Sequence, residues 1–325
     1  MTFDMDTTPT SNPGALVVTL TPNSSLDLWT TTQRVTSRDK LRCTQPQFDP
    51  GGGGINVSRV VHRLGGRTHA LFTAGHTVGA ELGAMLNAEG VPVVRIPIVG
   101  KTRECLHVLE EESGELYRFV MAGPTLSEAE GHALLERLRQ CAPPGSLIVG
   151  SGSLPPGLGE DFWARAAKLA KALECRFLLD SAHGVSGALD TGLFLLRQNL
   201  DELCNVCGRS ITWPDEAAEW SREQIKRGAC EVVVVTSGAD GALLVTEHER
   251  VRLTPPRVPI RSAVGAGDSF MGGLCLGLAK GERPHDALRL AVATAAATMI
   301  TPATELCLRE DVDRVLEQMG ATVLL

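Results

Sequence analysis

An aspartate behind a glycine-rich turn is the strongest candidate for chemistry in this sequence. Asp268 follows Gly265, Ala266 and Gly267 and precedes an apolar stretch with helical spacing. Glycines let successive backbone N–H groups converge on one anion at the start of a helix. A carboxylate beside a bound phosphate can accept the proton of a hydroxyl that attacks phosphorus. The segment therefore predicts a phosphoryl-transfer site, with an N-cap aspartate in a tight turn as the structural alternative.

Two common nucleotide-binding motifs are excluded. The dinucleotide fingerprint needs a third glycine where this chain has Phe270. A Walker A loop ending at Gly100-Lys101-Thr102 fails because Arg95 stands where its first glycine belongs.

Three segments in order carry a family resemblance: residues 51–57 (GGGGINV), residues 150–157 (GSGSLPPG) and residues 262–273 around Asp268. They resemble the signatures of the PfkB family of sugar kinases, within the ribokinase superfamily. Residues 40–44 (KLRCT) and the four-glycine run are most similar to its 6-phosphofructokinase branch.

The chain alternates short β-rich runs with helix-period stretches, which favours an α/β fold with a mainly parallel sheet. The resemblance implies a ribokinase-like three-layer α/β/α sandwich with a small β-sheet lid. Residues 1–14 are expected to be a flexible N-terminus and residues 15–325 the kinase domain. The lid is expected at about residues 28–50 and 92–121, from strand-like runs that alternate in polarity. These runs are Arg34-Val35, Lys40 to Cys43, Val93 to Ile96, Arg103 to Leu109 and Leu116 to Val120.

The substrate side is expected to combine backbone amides with polar side chains. Four glycines precede a predicted helix, so amides near Gly52 and Gly53 can approach sugar hydroxyls, and Asn56 can donate and accept there. Such a run is also common as a flexible turn. Ser153, or Ser151, follows a buried strand at the end where α/β sheets bind ligands.

Charged residues of the substrate site come from the resemblance. It implies that an aspartate soon after the first strand binds sugar hydroxyls, and Asp27 is the candidate, although its loop is about two residues longer than usual. It also gives Lys40, Arg42 and Arg103 a role in closing over a sugar's phosphate. The alternative is that these cations are solvated strand residues.

The nucleotide side is predicted after the later strands. Asn199 and Glu202 resemble the family's N-x-x-E motif near the metal and phosphates, with Arg197-Gln198 in place of the usual Lys-Pro. An N-cap asparagine with a capping acid would look identical. The resemblance implies that the turn after the most strongly predicted buried strand binds the nucleotide, with four candidate residues: Thr236, Ser237, Gly238 and Gly241.

Composition excludes several function classes. The chain has 325 residues, 43% hydrophobic content and a net charge of −7, which argues against a nucleic-acid-binding surface. It has no signal-peptide pattern and no apolar run near the ~20 residues of a membrane span. Nine scattered cysteines predict reduced thiols and a cytoplasmic protein, with Cys204 and Cys207 as structural thiols rather than half a zinc site.

Together with the residues of the predicted site, the resemblance implies a kinase that transfers the γ-phosphoryl group of ATP to a phosphorylated ketohexose. Fructose 6-phosphate is the expected acceptor, giving fructose 1,6-bisphosphate in glycolysis, with Asp268 as general base and Gly265, Ala266 and Gly267 as the anion hole. Mg²⁺ and ATP are the expected cofactor and co-substrate, and a homodimer through the lid is expected. Fructose 1-phosphate or tagatose 6-phosphate remain alternative acceptors, ribose or a nucleoside is a more distant one, and an inactive sugar-phosphate sensor is the alternative outside enzymes.

Overall fold

The computed structural model describes residues 14–37, 39–319 and 323–324. The predicted flexible segment 1–14 lies outside the described residues, apart from Gly14.

The described residues form fourteen strands and ten helices in an alternating order. The strands are β1 (Val17–Thr21), β2 (Ser25–Thr32), β3 (Gln47–Gly51), β4 (Thr68–Ala74), β5 (Val93–Pro97), β6 (Arg103–Glu110), β7 (Leu116–Phe119), β8 (Leu147–Ser151), β9 (Arg176–Asp180), β10 (Leu193–Asn199), β11 (Cys230–Thr236), β12 (Ala242–Val245), β13 (Arg250–Leu253) and β14 (Val323–Leu324). The helices are α1 (Gly53–Arg63), α2 (His76–Ala88), α3 (Glu128–Cys141), α4 (Phe162–Ala172), α5 (Val185–Leu189), α6 (Leu200–Cys207), α7 (Asp215–Lys226), α8 (Ala266–Ala279), α9 (Pro284–Ile300) and α10 (Arg309–Gln318).

Ten strands form one large sheet in the order β14-β13-β12-β11-β10-β9-β8-β1-β4-β5. The strands from β11 to β5 in that order run parallel, and β12, β13 and β14 add an antiparallel edge. The run Val232 to Val235 is wholly buried, as expected for a strand covered on both faces. The predicted parallel α/β core is therefore confirmed.

Helices cover both faces of the large sheet. One core joins α1, α8, α9 and α10 to one face through residues such as Val60 and Leu274, and a smaller core adds α2 on that face. The other core joins α3 to α7 to the opposite face, where Trp163 is fully buried. Because successive strand residues point to opposite faces, Val17 belongs to the first core and Val18 to the second. The result is the expected three-layer sandwich.

The remaining four strands form a separate small sheet in the order β3-β2-β6-β7. β2 pairs parallel with β6, and β3 and β7 pair antiparallel on the outside. Gly51, the last residue of β3, leads almost directly into α1. The small sheet is therefore connected to the large domain at the start of a helix that packs under the site described below.

Two strand predictions for this region are wrong. Val93–Pro97 was expected in the small sheet, but it pairs parallel with β4 as the edge of the large sheet, because it completes a strand–helix–strand unit through α2. The described residues among 33–46 form no strand apart from a single bridge at Cys43, whereas the Thr- and Leu-rich Ser25–Thr32 does. At the other edge of the large sheet, Val323–Leu324 pairs antiparallel with β13.

Candidate active site

The carboxyl ends of the parallel strands point to one edge of the large sheet, where the order reverses around β1 and β8. Crossovers from β1 lead to β4 on one side, and the later strands extend on the other side. A crevice at such a switch point is where open α/β sheets bind ligands. The glycine run, Ser151 and Asp268 meet at this point.

Asp268 lies in the first turn of α8 and is not its N-cap. Gly265 is the N-cap, with a φ of 75° that favours glycine, and no side chain caps the helix. The Oδ2 atom of Asp268 instead accepts a 2.8 Å hydrogen bond from Nδ2 of Asn56 in α1. The capping alternative for this aspartate is therefore wrong, because its carboxylate faces another helix rather than its own backbone.

The environment makes the Asp268 carboxyl group a stronger base than a free aspartate. Burial raises its pKa from 3.8 to about 6, and the hydrogen bond from Asn56 opposes that rise. The negative charges of Asp180 and Asp27 raise the pKa further, whereas the positive charge of Arg197 lowers it. A carboxylate with such a pKa is ionised at neutral pH and well matched to accepting a proton there.

The start of α1 approaches Asp268 so closely that only glycine fits. A Cβ atom on Gly53 would lie 3.0 Å from the backbone nitrogen of Gly152 and 3.3 Å from Oδ1 of Asp268, and it would also collide with the hydroxyl of Ser151. The Ser151 hydroxyl is buried and has no hydrogen-bond partner among the described residues. The predicted glycine approach at Gly52 and Gly53 thus lies beside Asp268 and Asn56.

Asp27 lies in the small sheet rather than in a loop after β1. It sits in the middle of β2, opposite Asp49 on β3 and Cys105 on β6. Its Oδ1 atom accepts a 2.7 Å hydrogen bond from Ser25, and its Oδ2 atom is 4.0 Å from Nε2 of His107. The two extra residues of this segment are accommodated because β2 begins at Ser25.

Burial shifts the pKa of Asp27 upwards and the pKa of His107 downwards, in each case towards the neutral form. Burial raises the pKa of Asp27, although the Ser25 hydrogen bond and the charges of His107 and Arg103 oppose the rise. Burial lowers the pKa of His107 more than the neighbouring Asp27 raises it. Neither ring nitrogen of His107 has a hydrogen-bond partner among the described residues.

The three predicted phosphate-binding cations are not brought together within this chain. Arg103, at the start of β6, donates to the backbone oxygens of Met121 (3.0 Å) and Asn23 (3.1 Å). These acceptors are neutral, so its charge is not compensated by an ion pair there. Lys40 and Arg42 are exposed on the irregular segment between β2 and β3.

Ser153 is tied to the same loop as Arg103. Its hydroxyl accepts a 3.0 Å hydrogen bond from Nδ2 of Asn23, whose backbone oxygen binds Arg103. The side-chain oxygen of Asn23 is buried without a partner among the described residues. Asn23 therefore joins two predicted substrate residues.

Arg197, on β10, is held by side chains at the ends of the two neighbouring strands. Its Nη1 atom donates to Asp180 at the end of β9 (3.0 Å), and its Nη2 atom donates to Thr236 at the end of β11 (2.8 Å). Burial alone would lower the pKa of Arg197, but Asp180, Glu202 and Asp268 together raise it above its usual value. A Cβ on Gly267 would lie 3.3 Å from Nη2, so this cation is next to the turn of α8.

Asn199 and Glu202 form a capping box at the start of α6. The Asn199 side chain accepts from the Glu202 N–H, and the Glu202 carboxylate accepts from the Asn199 N–H, both at 2.8 Å. The capping alternative is therefore confirmed. Burial nevertheless raises the pKa of Glu202, and the negative charge of Asp180 adds to that rise. The hydrogen bond from the Asn199 N–H lowers the pKa and so opposes it.

The predicted nucleotide turn follows β11 at the same edge of the sheet. Thr236 ends the strand opposite Asn199 of β10, and residues 238–240 form one 3₁₀ turn. Gly238 and Gly241 both have positive φ, of 50° and 101°. A Cβ at Gly238 would meet open space, whereas one at Gly241 would collide with the backbone of Leu253.

Sequence reasoning missed four residues of this region: Thr21, whose buried hydroxyl lies beside Gly54 without a hydrogen-bond partner among the described residues, Asn23, His107 and Asp180. Asp180 was detectable, because it is an acid at the carboxyl end of a predicted buried strand. The other three had no such signal, since their roles depend on contacts between the small sheet and the loops of the large one.

Metal-binding side chains do not cluster in the described residues, where no group of three or more His, Cys, Asp or Glu could hold an ion. Cys204 and Cys207 lie on α6 against the core, and Sγ of Cys204 accepts a hydrogen bond from the N–H of Ile211. Within the ranges the structure covers, no helix is long and apolar enough to cross a membrane.

Comparison with known proteins gives consistent matches over nearly the whole chain. The profile of the pfkB family of carbohydrate kinases matches residues 22–311. The ATP-dependent 6-phosphofructokinase isozyme 2 of Mycobacterium tuberculosis is 40% identical over 301 residues, which cover 93% of this chain and 89% of that protein. The isozyme 2 of Escherichia coli is 38% identical, with 92% and 97% covered.

The fold agrees with the same relatives. A crystal structure of phosphofructokinase-2 from Escherichia coli in complex with potassium has a TM-score of 0.90 and covers 94% of this chain and 99% of its own. The 1-phosphofructokinase of Bacillus subtilis is more distant, at 30% identity over 310 residues, which cover 95% of this chain and all of that protein.

Proposed function

The chain belongs to the pfkB family of carbohydrate kinases, and on that premise we propose that it transfers the γ-phosphoryl group of ATP to fructose 6-phosphate, giving fructose 1,6-bisphosphate. The observation that carries the proposal is the position of Asp268. Its carboxylate lies in the first turn of α8, beside the glycine turn and within 2.8 Å of Asn56. The relatives named as 6-phosphofructokinases are 38–40% identical to this chain, whereas the named 1-phosphofructokinase is 30% identical.

Asp268 is the proposed general base. The attacking hydroxyl of the sugar gives its proton to the Asp268 carboxylate as its oxygen bonds to phosphorus, and the bond from phosphorus to the bridging oxygen of ADP breaks. Backbone amides at Gly265, Ala266 and Gly267, at the amino end of α8, are the proposed anion hole, since first-turn N–H groups have no partner within the helix. The Ala266 N–H makes a long contact of 3.4 Å to the backbone oxygen of Ala263.

The proposed sugar site lies between the small sheet and the start of α1. Asp27 and Asn56 bind hydroxyls, and Gly52, Gly53 and Ser153 contribute polar groups around them. Arg103 is the proposed phosphate ligand, whereas Lys40 and Arg42, exposed between β2 and β3, are not brought to Arg103 within this chain. Supporting this role, the charge of Arg103 acts on Asp27, so the guanidinium is close to the sugar site.

The proposed nucleotide site lies at the ends of β10 and β11. Arg197 and Asn199 lie next to Thr236, Ser237, Gly238 and Gly241, and Arg197 also faces Gly267 of the catalytic turn. Mg²⁺ takes most of its ligands from phosphate oxygens and water, so one protein carboxylate suffices, and Glu202 is the proposed one. When bound, the ion would neutralise charge on the transferred phosphoryl group.

A lid-mediated homodimer is part of the proposal. Large apolar side chains are exposed on or beside the small sheet: Leu41, Phe48, Phe119, Val120 and Met121. Phe48 and Phe119 lie in one row across the small sheet, through Leu28 and Leu106. Exposed apolar side chains on one sheet favour association. Nine free cysteines, several of them buried, fit a reducing compartment, and the cytoplasm is the proposed location.

Measuring ATP consumption with and without fructose 6-phosphate tests the kinase against the inactive sensor. Asp268→Asn keeps the size of the side chain but cannot accept the proton, so turnover is expected to fall by roughly 10² to 10⁴. Asp161→Asn is the matched control, because Asp161 is an exposed aspartate at the start of α4 and makes no capping hydrogen bond.

Two results would contradict the proposal. Wild-type protein that binds fructose 6-phosphate without consuming ATP would be a sensor. A folded Asp268→Asn variant that keeps more than about a tenth of wild-type turnover would show that Asp268 is not the general base.

A further inference from the structure

Arg59 is a buried charge that the proposed chemistry does not use. It lies on the inner side of α1, is 1% exposed and is among the largest fully buried side chains of the described residues. A charge in such a place is costly unless it is paired and hydrogen-bonded. Its partners therefore indicate what it does.

One edge of the Arg59 guanidinium is anchored by an acid at the end of α2. Its Nε atom donates to both oxygens of Glu89, at 3.1 and 2.8 Å, and its Nη2 atom donates to Oε1 at 2.6 Å. This two-pronged pairing fixes the plane of the guanidinium as well as its position. The other edge of the group is then pointed in a fixed direction.

That other edge reaches the small sheet and the candidate active site. Nη1 donates to the backbone oxygen of Pro50 in β3 at 3.1 Å, and it lies 3.4 Å from Oδ1 of Asn56. Nη2 is 3.9 Å from Oδ1 of Asp49, also in β3. Arg59 thus contacts the strand that ends at the glycine run and the side chain that binds Asp268.

The Asn56 amide lies between a cation and a carboxylate. Its oxygen faces Arg59, and its NH₂ group donates to Oδ2 of Asp268 at 2.8 Å. If the amide were turned over, its NH₂ would face the guanidinium donors and its oxygen would face the Asp268 carboxylate. Both contacts would then be repulsive, so only one orientation of the amide is compatible with its neighbours.

We propose that Arg59 is a positioning residue that orients the Asn56 amide so that its NH₂ group is held on the Asp268 carboxylate. The description of Asp268 as a base rests on the proposed function, but the positioning itself does not. Arg59 acts here through Asn56, without contacting Asp268.

The consequence is measurable at Asp268. Asn56 stabilises its ionised form, Asp180 and Asp27 destabilise that form, and Arg197 stabilises it. Burial, Asp180 and Asp27 raise the pKa of Asp268, and the hydrogen bond from Asn56 opposes that rise. When this hydrogen bond is weakened, the rise is less opposed. The Asp268 carboxyl group should then bind its proton more tightly.

The test is a titration of Asp268 by NMR of ¹³C-carboxyl-labelled aspartate, with Asp268→Asn identifying its signal. Arg59→Lys keeps a positive charge beside Glu89, but one ammonium group cannot also span the distance to Asn56. The midpoint, about pH 6 in the wild type, should rise by about half a unit to one unit.

Arg63→Lys is the matched control, because Arg63 lies one turn further along α1 and also faces Glu89, but its Nη1 atom binds the backbone of Leu306. It should leave the midpoint unchanged.

Kinetics give a second readout that a purely structural role would not move. With a midpoint raised by about one unit, turnover of Arg59→Lys should be about threefold lower at pH 6.5 and close to wild type at pH 8.5, where Asp268 is ionised in both proteins. If Arg59→Lys does not fold, Glu89→Gln, which weakens the anchor from the partly exposed side, should raise the midpoint in the same direction.

A folded Arg59→Lys or Glu89→Gln variant with the wild-type Asp268 midpoint would overturn the proposal, as would a rise of equal size in Arg63→Lys. The titration needs no substrate. A protein that fails to phosphorylate fructose 6-phosphate but shows the shift would therefore refute the proposed function and leave the positioning role supported.

Discussion

At the scale of single residues, the proposed chemistry depends on how the groups around Asp268 change the pKa of its carboxyl group. Asp268 is partly buried with Asp180 and Asp27 in its surroundings, whereas Asn56 and Arg197 favour its charge. The arrangement makes the carboxylate more basic at the expense of folding stability. Active sites often carry such a cost.

This cost predicts how stability depends on pH. The folded-state pKa of Asp268 is raised from 3.8 to about 6. Between pH 3.8 and pH 6 the folded protein therefore holds a proton that the unfolded chain has already released. Because of this difference, the free energy of unfolding decreases as the pH rises from about 3.8 to about 6. Asp268→Asn removes the ionisation. It should increase the free energy of unfolding at pH 8 by on the order of 1 to 3 kcal/mol.

Urea unfolding of both proteins at a series of pH values measures this difference. The gain should shrink as the pH falls from 7 towards 4.5, because the wild-type carboxyl group becomes neutral. A variant that is less stable than wild type at pH 8, or a difference that does not change with pH, would contradict the account of Asp268. Asp161→Asn provides the baseline for an exposed aspartate.

The residue types of the site were readable from the sequence, but their contacts were not. Asp268 and Asn56 were predicted beside glycine turns, and the structure joins them by a hydrogen bond across 212 positions of the chain. Arg103 was expected to be free for a phosphate, yet it binds the backbone of Asn23 and Met121. No local pattern reveals such partners, because they come from loops distant in sequence.

At the scale of elements, the site is made of turns that follow parallel strands. β10 and β11 lie side by side and end together, which places Arg197, Asn199 and Thr236 at one edge. The two glycines of the next turn differ in their surroundings. Gly241 packs on the backbone of Leu253, whereas Gly238 faces open space.

Gly238 therefore tests the nucleotide site without disturbing the packing. Asparagine tolerates the positive φ of this position, but its side chain would occupy the space above the turn. Gly238→Asn should raise KM for ATP by about tenfold or more and change KM for fructose 6-phosphate little, as expected when about 1.4 kcal/mol of binding is lost from one substrate only.

Gly228→Asn is the matched control, because Gly228 precedes the same strand, has a φ of 74° and also faces open space. It lies at the opposite end of β11 and should leave both KM values unchanged. If Gly238→Asn raised KM equally for both substrates, the change would indicate a general folding defect. The assignment of this turn to the nucleotide site would then be contradicted.

The order of elements was largely predictable, and the errors have a common cause. Alternation of buried strands and helices identified the parallel sheet. Val93–Pro97 was misplaced because alternating polarity fits the edge of a large sheet as well as a small one. Asp27 was expected in a loop, since the sequence does not show where β2 begins.

At the scale of the whole molecule, the small sheet exposes an apolar surface that the proposed dimer would cover. Phe119 is 47% exposed at the end of β7, and Val120 and Met121 follow it. Phe119→Glu would place a charge in the buried interface. It should shift the protein from dimer to monomer in size-exclusion chromatography with light scattering.

Ile260→Glu is the control, because Ile260 is 67% exposed outside the small sheet. It should leave the dimer intact. A dimer that persists in Phe119→Glu at micromolar concentration would show that the interface lies elsewhere. A monomeric wild type would show that the proposed dimer does not form.

The acceptor specificity of the wild-type enzyme tests the central claim most directly. Initial rates with ATP should give the highest kcat/KM for fructose 6-phosphate, lower values for fructose 1-phosphate and tagatose 6-phosphate, and poor use of free fructose. Arg103→Ala should lower kcat/KM for fructose 6-phosphate by about ten- to a hundredfold, as loss of a charge-assisted phosphate contact predicts, with little effect on free fructose. A higher kcat/KM for fructose 1-phosphate, or efficient use of ribose or adenosine, would contradict the account.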